Sequence, residues 1–136
     1  MKVTWKDEYS VGVKEIDDQH KQFIELINQI YEVIAGEKYG KECCVVLDYL
    51  GNYALYHLET EEEYFKKFNY EKAEEHIAEH NKYRKKIGEW ASKCPSADDR
   101  LPILKEAADF TTEWLIAHIL GSDKQYIECF KKHGLQ

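Results

Sequence analysis

Proline restricts this chain most by where it is missing. Only two prolines occur, Pro95 and Pro102, both inside one short stretch. Proline breaks a helix by removing an amide donor and clashing with the preceding turn. Glycines are also few, seven in 136 residues. Long segments are therefore free of breakers, and the chain reads as nearly all helix. The first helix is expected over 18–35, with Asp17 or Asp18 as its N-cap and Gly36 beyond its end. A second covers 41–67, and Asn69 and Tyr70 make a short turn after it. A third covers 71–93 and stops before Pro95. Asp98 and Asp99 open a fourth over 99–120, which tolerates Pro102 in its first turn and ends at Gly121. A tail helix follows over 122–132. Residues 1–16 read as an extended arm that lays Trp5, Tyr9, Val11 and Val13 across the helices.

Four helices with short connections fit an all-α, up-down-up-down four-helix bundle with an N-terminal arm and a short C-terminal helix. The length suits one domain over 1–136, large enough for a core without disulfide staples. Each helix has an apolar stripe at spacings of three and four. The first gives Ile16, His20, Phe23, Ile27, Ile30 and Ile34. The second gives Val46, Leu50, Tyr53, His57, Glu61, Tyr64 and Phe68. The third gives Ala73, His76, His80, Tyr83, Ile87 and Trp90. The fourth gives Leu104, Ala108, Thr111, Leu115 and His118.

Every one of these inward stripes contains histidine. Of six histidines, only His133 in the tail lies off them. One buried histidine is usually a satisfied core residue. Five without partners would cost on the order of a few kcal/mol each, against about 5–15 kcal/mol for a whole domain. Glu61 lies inward as well, and a buried carboxylate needs a counter-charge or a metal. A metal site inside the bundle accounts for all of these together. His57-x-x-x-Glu61 and His76-x-x-x-His80 are i, i+4 pairs that share a helix face. Gly121 is expected to break the fourth helix and let Asp123 turn back to the core. Seven ligands exceed the four that one zinc takes and suit two ions with bridging carboxylates. Imidazole with carboxylate suits iron, and also manganese or zinc.

The set His20, His57-x-x-x-Glu61, His76-x-x-x-His80, His118-x-x-x-x-Asp123 resembles the hemerythrin signature in order and spacing. Trp5, Val11-Gly12-Val13 and Ile16-Asp17-Asp18-Gln19-His20-Lys21 resemble its bacterial branch. The resemblance implies two iron ions, with His76, His80 and His118 on one and His20 and His57 on the other. Glu61, Asp123 and an oxo or hydroxo group would bridge them. It further implies reversible O2 binding at the second iron, which keeps an open position, in oxygen transport, storage or delivery. Phe23, Trp114, Leu115 and Ile119 fall where the family lines or approaches its O2 pocket; plain core packing is the alternative for each. Tyr126, one turn after Asp123, is a candidate to orient a bridging carboxylate.

Rival readings share this site. One is an O2- or redox-sensing domain of a signalling protein. Another is a diiron enzyme acting on peroxide or nitric oxide. The pocket candidates are apolar, which favours binding over turnover, so no catalytic residue is expected. Ferritin-like sites use Glu-x-x-His twice, and that motif is missing here, so less anionic donation is available to cleave an O–O bond. His76-Ile77-Ala78-Glu79-His80 also reads as the inverted zinc-protease motif with Glu79 as base. That leaves His20, His57, Glu61 and His118 without a role, and Glu79 is instead expected on a solvated face with Glu62, Glu63, Glu74 and Glu75.

The net charge of −7 argues against nucleic acid, whose binders need a basic face. It argues likewise against anionic membrane surfaces, and no apolar run approaches a membrane span. The N-terminal residues have no apolar signal region, so a cytoplasmic monomer is expected. No protein partner is indicated. Cys43, Cys44, Cys94 and Cys129 form no Cys-x-x-Cys pair, and four reduced thiols are expected in that compartment.

Overall fold

The computed structural model describes residues 2–136. Its helices are α1 (Lys14–Ala35), α2 (Glu42–Lys67), α3 (Ala73–Lys93), α4 (Leu101–Gly121) and the short α5 (Ile127–Lys132). Two 3-10 turns, Asp7–Tyr9 and Asp123–Tyr126, complete the described elements. Helix α1 packs on α2 and α4, and α3 packs on the same two, so the four long helices close a ring around one core. None of the helices is long and apolar enough to cross a membrane. Pro102 sits in the first turn of α4, where its missing amide costs nothing.

Helix α1 begins at Lys14, four residues before the expected start. Asp17 does not cap it. Its carboxylate accepts from the Ser10 hydroxyl at 2.6 Å and the Val11 amide at 2.8 Å, and so ties the arm to the helix. Val13 holds the N-cap position in extended conformation with no side-chain cap. The arm is fastened further on. Val3 pairs through both backbone groups with the Asn28 amide, at 2.7 and 2.8 Å. Lys124 donates to the Ser10 carbonyl at 2.6 Å, and Val11 and Val13 are buried.

The ends of α1 and α2 differ in their turn chemistry. Gly36 keeps right-handed helical angles, and Glu37 takes the left-handed conformation instead, with φ of 56°. The Gly36 amide still bonds the Glu32 and Val33 carbonyls, so the chain turns one residue later than expected. Asn69, with φ of 51°, makes the α2–α3 turn, a conformation its short polar side chain tolerates.

On α2 the buried face is Cys43, Leu47, Leu50, Gly51, Ala54, His57, Leu58, Glu61 and Phe65. The expected Val46, Tyr53, Tyr64 and Phe68 lie at its margin, partly buried. Straight 3.6-residue periodicity gives two adjoining rows through His57 and Glu61, and the packing of α3 selects between them. At Gly51 a Cβ would stand 2.8 Å from Ile87 Cγ2, so α2 and α3 approach too closely there for a larger residue. On α4 the expected Leu104, Ala108, Thr111, Leu115 and His118 are all buried, joined by Ala107 and Ile119. Each fully buried Leu, Ile or Phe in this core contributes roughly 1.5–3 kcal/mol.

The expectation of four free thiols does not hold. Cys44 and Cys94 are joined as a disulfide with Cα atoms 5.8 Å apart, and Cys43 and Cys129 are free. Antiparallel packing brings the first turn of α2 beside the C-terminal end of α3, an adjacency that spacing along the chain does not reveal. Arg100 closes the same end of the bundle by donating to the carbonyls of Cys94, Pro95 and Tyr39 at 2.9, 2.9 and 3.2 Å.

Candidate metal centre

The five stripe histidines, Glu61 and Asp123 converge in the core. All seven are buried. Helix α1 supplies His20, α2 supplies His57 and Glu61, α3 supplies His76 and His80, and α4 supplies His118. Asp123 comes from the 3-10 turn that follows α4. Gly121 is not what redirects the chain there. It stays within α4 without a left-handed φ, and a Cβ at this position would meet nothing within 4 Å. The switch from α to 3-10 hydrogen bonding, seen in Gln125 N–H to Ser122 carbonyl at 3.1 Å, tightens the backbone and swings Asp123 inward.

The carboxylates divide their oxygens between two sets of imidazoles. Glu61 Oε1 faces His80 Nε2 at 3.1 Å and His76 Nε2 at 3.6 Å. Glu61 Oε2 faces His57 Nε2 at 3.6 Å and His20 Nε2 at 3.9 Å. Asp123 Oδ1 faces His76 and His118 at 3.0 and 3.1 Å, and Oδ2 faces His20 at 3.2 Å. Two clusters follow, Glu61-His76-His80-His118 and His20-His57-Glu61-Asp123, each with ligand atoms within 4.8 Å of one another.

These contacts are short but mostly lack hydrogen-bond alignment. Eight buried side-chain polar atoms among the described residues have no hydrogen-bond partner, and seven belong to this centre: both nitrogens of His20, His76 Nε2, His118 Nδ1, Glu61 Oε1 and both oxygens of Asp123. Buried polar groups are otherwise nearly always paired. His80 Nε2 and His118 Nε2 stand 3.1 Å apart, nose to nose. Metal–imidazole bonds of about 2.0–2.1 Å at right angles place neighbouring ligand nitrogens about 3 Å apart. The residues present therefore fit metal ions, two in number, with Glu61 common to both clusters and Asp123 facing histidines of each.

Electrostatics without an ion show the same demand for positive charge. Burial and Asp123 push the Glu61 carboxyl up, but the imidazoles of His57, His76 and His80 outweigh them and hold it below the ordinary range. Burial also opposes ionisation of Asp123, and His118, His20 and His76 again prevail and lower it. His76 is pulled the other way. Burial disfavours its charge, yet the carboxylates of Asp123 and Glu61 close beside it raise it to about 9. His57 follows its burial down to about 3. Protons on imidazoles occupy the place that cations would take.

Partners behind the ligands came from residues whose sequence context gave no signal. His80 Nδ1 meets Glu62 Oε2 at 2.7 Å, and Arg84 clamps that carboxylate at 2.7 and 2.9 Å. His118 Nδ1 lies 3.5 Å from Glu79, whose other oxygen accepts from Ser122. Glu62 is thus not on a solvated face but folds back over His80, whereas Glu79 stays 44% exposed at the rim beside His118. His57 Nδ1 meets Gln19 Oε1 at 2.7 Å. Tyr126, the candidate from spacing, donates to Glu61 Oε2 at 2.6 Å. Of the apolar candidates, Phe23, Leu115 and Ile119 are buried, and the Phe23 ring lies 6.0 Å from that of His57. Trp114 is half-buried and stacks on His118 at 4.4 Å, on the three-histidine side.

Fold and centre together define a helical-bundle, cation-binding protein with a binuclear site. The family described as "Hemerythrin HHE cation binding domain" matches residues 11–130. A bacteriohemerythrin of Clostridium acetobutylicum is 33% identical over 128 residues, covering 91% of this chain and 98% of that protein. One of Methylococcus capsulatus (strain Bath) is 28% identical over 131 residues, covering 93% and 95%. A crystal structure of wild-type hemerythrin aligns with a TM-score of 0.83 at 28% identity, over 93% of this chain and 96% of that one. The chain belongs to the hemerythrin family, on its bacterial branch.

Proposed function

We propose that this chain binds O2 reversibly at a centre of two non-haem iron ions, as an oxygen carrier or store rather than an enzyme. The observation that carries the proposal is the division of Glu61 and Asp123, each offering one oxygen to either histidine set. In this reading His76, His80 and His118 would hold one ion and His20 and His57 the other, with Glu61 and Asp123 placed to serve both. Two ferrous ions, when bound, supply the electrons and the open coordination position that O2 requires.

The chain's own residues do the rest. The two-histidine set is one donor short of the three-histidine set, which leaves room on that side for a small ligand. Burial and the nearby Asp123 and Glu61 push the Tyr126 phenol well above its ordinary range, so it stays protonated and fixes the Glu61 carboxylate by donating to it. Phe23, Leu115 and Ile119 bring apolar surface and no titratable group, which keeps water from the centre. Trp114 packs behind His118 and serves as a wall on the other side. The reading includes a cytoplasmic monomer. There the Cys44–Cys94 bond meets a reducing thiol pool, so the centre has to persist with that pair open.

The test is anaerobic loading with ferrous iron, admission of O2 and its removal, followed by visible absorption. Two irons per chain and a band that appears with O2 and vanishes on degassing are expected. Permanent oxidation on first exposure would move the reading to a redox sensor or a peroxide-handling enzyme.

A further inference from the structure

The ligand imidazoles are backed by unlike partners. On the three-histidine side, His80 leans on the Glu62 carboxylate at 2.7 Å, and Arg84 fixes that carboxylate through two bonds. His118 has a second carboxylate, Glu79, 3.5 Å from its Nδ1. On the two-histidine side, His57 meets only the neutral amide of Gln19, itself held by a 3.3 Å contact to the Thr60 hydroxyl. His20 Nδ1 is buried with no hydrogen-bond partner among the described residues.

An imidazole that donates to a carboxylate gives more electron density at its other nitrogen than one that donates to an amide. Charge-assisted bonds of this kind are about twice as strong as neutral ones, and they raise the basicity of a metal ligand. Arg84 offsets part of the Glu62 charge, but it also removes the freedom of that carboxylate to turn away from His80. His20 has no such support, so its ring plane is set by packing alone.

We infer that the two positions fill and empty in a fixed order. The three-histidine position, backed by Glu62 through His80 and with the Glu79 charge near His118, takes its ion first and holds it more tightly. The two-histidine position, backed by Gln19, fills second and empties first. A form carrying a single ion on His76, His80 and His118 is then an intermediate of both assembly and loss. The inference rests on the binuclear reading above.

Its test is titration of the metal-free protein with Co(II), followed by the visible ligand-field bands and by calorimetry. Two steps are expected. Repulsion between two divalent ions separates the steps whichever position fills first, so variants carry the assignment. Glu62→Gln keeps the size and removes the charge behind His80. It should weaken the first step 10- to 100-fold and leave the second in place. Gln19→Glu should tighten the second step by a similar factor and narrow the gap. Far-UV circular dichroism checks that each variant stays helical. An effect of Glu62→Gln on the second step alone, or none at all, overturns the ordering, as does a single unresolved step in all three proteins. Failure to bind two ions per chain sinks the binuclear reading instead.

Discussion

Tyr126 donates its hydroxyl to Glu61 Oε2 at 2.6 Å, across 65 positions of chain, with both groups fully buried. The bond holds one of the two shared carboxylates from behind while its lone pairs face the imidazoles. Tyr126→Phe removes the donor and nothing else of the ring. The metal-free variant should lose about 1–3 kcal/mol of stability, the usual cost of an orphaned buried acceptor. Its metal affinity should fall 10- to 100-fold. Denaturant unfolding and metal titration check the two effects separately. Unchanged affinity would remove Tyr126 from the support of the centre.

Protonation sets the stability of the metal-free bundle in two opposed ways. The folded value of His57 is about 3 against an ordinary 6.5. Its contribution is present above about 6.5 and is lost as pH falls toward 3. The folded value of His76 is about 9. Its contribution is fully present below about 6.5 and is lost as pH rises through 9. The denaturation midpoint of the metal-free protein should therefore peak near neutrality and decline on both sides. Metal loading should flatten the alkaline decline, because an ion replaces the His76 proton. A metal-free midpoint that climbs steadily past about pH 9 would contradict the His76 assignment.

Cys44 and Cys94 close a loop of 50 residues that contains most of α2 and α3. Constraining a loop of that length in the unfolded chain stabilises the fold by about 4 kcal/mol. Cys44→Ser, or a reductant, should lower the melting temperature by a corresponding amount. Iron stoichiometry should stay at its starting value, since no ligand lies near that end of α2. Loss of iron along with the bond would show that the disulfide supports the centre.

Gly121 offers a check on how Asp123 is delivered. The residue is helical, lacks a left-handed φ, and has open space where a Cβ would go. Gly121→Ala should raise stability by about 0.5–1 kcal/mol through the lower entropy of the unfolded chain, with metal affinity unchanged. Weakened metal binding in that variant would restore the glycine as the device that turns the chain.

The ligand candidates were legible because helices write proximity into spacing. His57 with Glu61 and His76 with His80 lie one turn apart, and histidine on an apolar stripe stands out against its neighbours. Asp123 was harder, since it leaves the helix: a break at Gly121 was the expected cause, and a 3-10 turn carries it inward instead. Gln19, Glu62, Glu79 and Arg84 were invisible for a physical reason. Each sits on the edge of a helix face, where polar side chains are ordinary, and only the three-dimensional approach of a neighbouring imidazole gives it a task. The inner row of α2 was misread by about one position for a related reason. His57 and Glu61 are compatible with either adjoining row, and Gly51, with Ile87 pressed close to it, decides which one faces α3. The Cys44–Cys94 pair depends on how far two antiparallel helices overlap, which no local pattern records.

The N-terminal arm reaches Lys124, the residue directly after Asp123, through its ammonium on the Ser10 carbonyl. The arm and the turn that follows α4 therefore meet beside Asp123. Asp123 is thus anchored from outside the four long helices as well as by α4, since the residue beside it is tied to the arm.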